Sequence, residues 1–162
     1  MFLKVLHIKR SGILCLIAFL SMSLNLPEPD LQELMKHSQD QLNAAYATDL
    51  AAVPSKKTDI QLTNDGFFRF RRTLVNGKQE YFAFNFSQYE DLDYLGNVSS
   101  GFLVMKTKPE SIIVQTFRDA EGDIDSMASE LRIPLKHLEA KDLQQLQDCF
   151  LQIRQKIKKP QL

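Results

Sequence analysis

From Leu31 onward, apolar residues return every three or four positions, through Leu34, Met35, Leu42, Ala45 and Tyr46. That is the period of one helical face, and it predicts an amphipathic helix over Asp30 to Leu50. Asp30 stands where a carboxylate accepts from first-turn amides, and Glu33 follows at capping-box spacing. Pro54 closes the segment, and Pro54-Ser55-Lys56-Lys57 reads as a short linker. The period then falls from helical to alternating. Ile60 and Leu62 begin a strand that turns at Asn64-Asp65-Gly66. Two longer runs, Phe67 to Leu74 and Lys78 to Ser87, flank Asn76-Gly77, a strong hairpin signal.

The register of that hairpin follows from its side chains. A two-residue turn would set Phe70 opposite Ala83 and Phe68 opposite Asn85, mixing aromatic and polar residues on each face. A three-residue loop, Val75-Asn76-Gly77 with Gly77 left-handed, pairs Phe70 with Phe82, Phe68 with Phe84 and Arg72 with Glu80. A slip of one residue exchanges the faces, so the coherent register is the second. It gathers a Phe cluster inside and leaves Arg69, Arg71, Tyr81 and Ala83 on the other face.

Short strands continue at turn-punctuated intervals: Leu92 to Leu95, Phe102 to Thr107, Ile112 to Phe117, and Met127 to Leu135. In the last of these, Met127, Leu131, Ile133 and Leu135 alternate onto one side, and Pro134 marks an edge strand or a strand end. A closing helix is predicted over Ala140 to Lys158, with Leu143, Leu146, Phe150, Ile153 and Ile157 as its stripe. Its acidic start, Glu139 and Asp142, and its basic end match the helix dipole. The order is helix, about seven antiparallel strands, helix. It defines an α+β chain whose strands form a sheet or split barrel. From Thr58 to Ile157 this order resembles a pleckstrin-homology-like split barrel. Lys57 with Arg69-Phe70-Arg71 is similar to the basic spacing with which some such domains hold phosphoinositide headgroups. The chain differs from that family in having no Trp.

The N-terminus changes the picture. Lys4, Lys9 and Arg10 precede an apolar run from Ile13, and Ser21 and Ser23 sit two apart. This is the layout of a secretory signal peptide over residues 1–23. The apolar stretch to Leu26 is shorter than the roughly 20 residues of a spanning helix, and an uncleaved N-terminal anchor is the alternative. Leu14 before Cys15 does not fit a lipobox. The expected organisation is therefore a signal peptide over 1–23, an amphipathic helix and linker over 24–57, and an antiparallel β domain closed by a helix over 58–162. The expected location is the periplasm, cell envelope or secreted space. Removing three cations from a chain of formal net charge zero leaves it mildly acidic, which gives no footprint for nucleic acid. No later stretch is apolar enough to span a membrane.

Candidate chemistry is sparse. Asp119, Glu121, Asp123 and Asp125 alternate in one turn and could offer carboxylates to calcium, although the Gly of an EF-type loop is displaced to Gly122. The same residues describe a solvated hairpin tip. His37 and His137 have no partners for a zinc cluster, and no nucleophile-elbow or glycine-rich phosphate motif is present. Cys149 lies between Leu146 and Ile153 on one helical face, which predicts a buried thiol. The outward hairpin face, with Arg69, Arg71, Tyr81 and Asn85, combines residue types favoured at binding hot spots. It also describes a solvated sheet face with Arg–Tyr stacking. The expectation is a non-enzymatic binding or interaction module without cofactor, whose partner is an envelope or secreted protein. A barrel-like carrier of a small apolar ligand is the alternative, and a carboxylate-based hydrolase the third reading.

Overall fold

A computed structural model describes residues 29–50 and 53–159. The signal segment expected over residues 1–23 lies outside the described residues. The elements run α1 (Leu31–Ala45), β1 (Ser55–Leu62), β2 (Phe67–Leu74), β3 (Gln79–Asn85), β4 (Tyr89–Gly96), β5 (Ser100–Thr107), β6 (Ile112–Phe117), β7 (Asp125–Ala128), β8 (Glu130–Lys136) and α2 (Ala140–Lys158). The chain is α+β: among the described residues there are two helices and eight antiparallel strands, the strands arranged in two sheets of order β1-β2-β3-β6-β7 and β4-β5-β8. No helix among the described residues is long and apolar enough to cross a membrane.

The hairpin register is the one that buries the rings. Phe70 faces Phe82, Phe68 faces Phe84, and Arg72 faces Glu80. Gly77 takes φ +90°, the left-handed conformation that closes a three-residue loop, and a side chain there would be strained. Phe68 and Phe84 stack at 5.2 Å between centroids, Phe70 and Phe82 at 5.7 Å. Phe86, Tyr89 and Phe150 extend this aromatic core to α2, with Phe86 to Phe150 at 5.3 Å and Tyr89 to Phe150 at 5.7 Å.

Three passages of the chain leave one sheet and enter the other. β3 runs into β4 through a single 3-10 turn, Phe86–Gln88, and β5 runs into β6. β7 runs into β8 with only Ser129 between them. The Ser129 carbonyl accepts from the Thr107 N–H at 3.0 Å, and its hydroxyl accepts from the Glu110 N–H at 3.0 Å. That bend corrects two expectations. The strand predicted over Met127 to Leu135 is two strands of different sheets, which brings the count to eight. Met127 does not share the buried side of Leu131, Ile133 and Leu135 and is 51% exposed.

Both helices join one core. Leu34, Met35 and Leu42 of α1 and Leu146, Phe150 and Ile153 of α2 are buried in a cluster that includes Ile60 and Phe68 of one sheet and Leu103 and Ile133 of the other. Helix α1 starts as predicted, with the Asp30 carboxylate accepting from the Leu31 N–H at 2.7 Å. It ends at Ala45 and not at Leu50, because the next residues turn to the free edge of β8. Tyr46 bridges Leu135, and the Ala47 N–H donates to the Pro134 carbonyl at 3.0 Å. The expected linker is also shorter. Ser55, Lys56 and Lys57 already belong to β1, where alternate outward residues need not be apolar.

Helix α1 has a second task at the edge of β1. Asn43 donates its side-chain N–H to the Ile60 carbonyl at 2.9 Å and accepts from the Ile60 N–H at 3.3 Å. Gln39 accepts from the Leu62 N–H at 2.9 Å. These amide side chains occupy backbone groups that an edge strand would otherwise present to another chain.

Candidate functional site

Strand alternation builds the site. Because Ile60, Phe70 and Phe82 point into the core, their neighbours Asp59, Arg71 and Tyr81 point out. The registers then align Asp59, Arg71, Tyr81, Gln115 and Asp125 as one row across all five strands. The adjacent pair Gln79 and Phe117 lies on the same outward face.

Arg71, Gln79, Tyr81, Gln115 and Phe117, with Glu80 at the margin, line an open groove of about 380 Å³. The Arg71 guanidinium carbon lies 5.6 Å from the centroid of the Tyr81 ring. Phe117 leaves 46% of its surface exposed. Among the described residues Arg71 forms no ion pair within 4.0 Å. Its register neighbour Asp59 instead accepts from the Gln61 side chain at 2.9 Å. Glu80 is occupied elsewhere, by Arg72 at 2.5 Å and Lys78 at 3.6 Å.

The four expected binding residues therefore separate. Arg71 and Tyr81 meet in the groove. Arg69 stands 5.8 Å from the Phe67 ring centroid and 3.9 Å from the Asp65 carboxylate. Asn85 is held by local hydrogen bonds, accepting from the Ser87 N–H at 2.9 Å and donating to the Asp65 carbonyl at 3.3 Å. Gln79, Gln115 and Phe117 are additions to the site. Gln115 and Phe117 come from β6, and nothing local in the sequence says that β6 pairs with β3. The only signal was an alternation in which Phe117 falls on the outward side.

The acidic turn is not a convergent ligand set. Asp119 pairs with Lys78 at 2.6 Å, and this hydrogen bond holds its carboxyl below the usual carboxylate range. Asp123 accepts from the Asp119 N–H at 2.9 Å, and Asp125 accepts from Gln115 at 3.4 Å. Gly122 makes the turn with φ +107°. Among the described residues no three His, Cys, Asp or Glu side chains are grouped to hold a metal ion; in the turn that carries the calcium expectation, Asp119, Glu121, Asp123 and Asp125, the first of these is paired with Lys78.

Cys149 is 7% exposed at the floor of a groove between α1 and α2. Burial pushes its thiol up, with the Ser38 hydroxyl opposing, which is the reverse of an activated nucleophile. His37, in the same groove, shares a hydrogen bond with Gln145 at 2.9 Å.

Set against known proteins, the chain matches no family model, no curated protein and no solved structure. The resemblance to a pleckstrin-homology-like barrel accordingly remains one of element order.

Proposed function

We propose that this chain is a small, non-enzymatic binding module of the cell envelope or secreted space, recognising its partner with the outward face of its five-stranded sheet. The observation that carries the reading is the Arg71–Tyr81 groove, where a guanidinium without an acidic partner lies by the half-buried Tyr81 ring and the exposed Phe117 shares the lining. Arg and Tyr in a shared depression are the residue types on which interfaces concentrate their energy. Export rests on the pattern of residues 1–23.

The alternative of an apolar-ligand carrier has less support, because the Phe-rich interior is filled by rings in mutual contact. The test is recovery of partner proteins by crosslinking and affinity capture from the host envelope, using the chain and its Arg71→Glu variant. Arg71 is exposed, so the substitution should leave the melting temperature within about 2 °C, as surface changes do, while partner recovery falls about tenfold or more. Undiminished recovery would remove Arg71 from the interface.

A further inference from the structure

We infer that the Arg71 groove receives an acidic side chain presented beside an aromatic one on a segment of a partner protein. This rests on the reading of the outward sheet face as the partner site. Three features of the groove give it direction.

The first is an unanswered charge. Asp59 stands opposite Arg71 in register, yet its carboxylate accepts from Gln61 and lies outside ion-pair distance. The guanidinium carbon lies 5.6 Å from the Tyr81 ring centroid, and among the described residues none of its N–H groups donates to an acceptor, so a planar N–H edge that matches a carboxylate is open. The second is polar groups without partners. Among the described residues neither the Gln79 carboxamide nor the Tyr81 hydroxyl has a hydrogen-bond partner, and both line the groove with Arg71. The third is size and wall chemistry. A volume of about 380 Å³ accepts one or two side chains, and Phe117 and Tyr81 supply apolar surface for a neighbouring ring. The other cations of β2 are engaged, Arg69 with Asp65 and the Phe67 ring and Arg72 with Glu80. Within the lining of the groove Arg71 is the one cation, set among carboxamides, which suits a monoanion; Lys57, outward on β1, is why inorganic phosphate is included among the probes.

The test is protein-observed NMR on the isotope-labelled chain with four probes. These are the capped peptide acetyl-Gly-Glu-Phe-Gly-amide, its Gln counterpart, 3-phenylpropanoate and inorganic phosphate. The expected result is that the Glu peptide shifts the signals of Arg71, Gln79, Tyr81 and Phe117 and binds about fivefold tighter than the Gln peptide, the scale of an exposed ion pair. Arg71→Gln should erase that preference, and Asp59→Asn, which removes a competing carboxylate, should tighten the Glu peptide. Equal binding of the two peptides, or binding of phosphate or 3-phenylpropanoate with no peptide binding, would overturn the inference. If peptides fail while Arg71→Glu still abolishes partner recovery, the sheet-face reading stands and the carboxylate inference falls.

Discussion

Lys78 ties the main hairpin to the acidic turn. Its ammonium reaches Asp119 at 2.6 Å and Glu80 at 3.6 Å, while Glu80 also takes Arg72 at 2.5 Å. The hydrogen bond to Asp119 raises Lys78 above the ordinary lysine range and lowers Asp119 in return. A carboxylate depressed in the folded state contributes stability that is present above its ordinary value and lost as pH falls through the lowered one, here below about pH 4. An ammonium raised in the folded state contributes below its ordinary value and loses the contribution above about pH 10. Amide exchange over residues 119–123, corrected for its intrinsic rate, should therefore be flat across the neutral range and accelerate in acid. Lys78→Met should make exchange there severalfold faster at neutral pH and shrink the acid step to the part that the Glu121 N–H still supports at Asp119. The Arg72–Glu80 half of this network was legible in the sequence, because the two residues face each other in the only register that pairs the Phe side chains. The Lys78–Asp119 half was not, since it depends on how β3 and β6 lie side by side.

Helices and strands were legible where one face is apolar. Helix α2 spans Ala140–Lys158 as its stripe predicts, and Asp142 caps it by accepting from the Glu139 N–H at 3.0 Å. The pattern failed where polar residues do structural work. Lys56 and Lys57 looked like linker but are the outward and edge positions of β1. Asn43 and Gln39 lie off the apolar stripe of α1, yet they complete the β1 backbone. In the candidate site Arg71 and Tyr81 were readable from the hairpin alone, while Gln115 and Phe117 required knowledge of strand order. The edge role of Asn43 has a measurable consequence. Asn43→Ala removes three side-chain hydrogen bonds, one to the Gln39 carbonyl and two to Ile60, and leaves Ile60's N–H and carbonyl without that cover. It should cost about 1–3 kcal/mol in urea unfolding, the range for a lost pair that strands its partners. Because it reopens a strand edge, it should also raise light scattering on storage.

At the scale of the molecule, one core serves both sheets and both helices. Phe150 is fully buried and touches Phe86 and Tyr89, which lie at the passage from β3 to β4. Phe150→Ala should cost about 3–5 kcal/mol, a large part of the roughly 5–15 kcal/mol that holds a domain together. Hydrogen exchange should then show β2 and β5 losing protection at the same rate; independent loss would mean two cooperative units. The Ser129 bend carries a further meaning. With a single residue between β7 and β8, a one-step misalignment of β7 on β6 cannot be absorbed and must pass into β8 against β5. There it would turn Leu131, Ile133 and Leu135 outward and Arg132 inward. Each sheet thus proofreads the alignment of the other, and a misfolded chain would have to be wrong in both places at once.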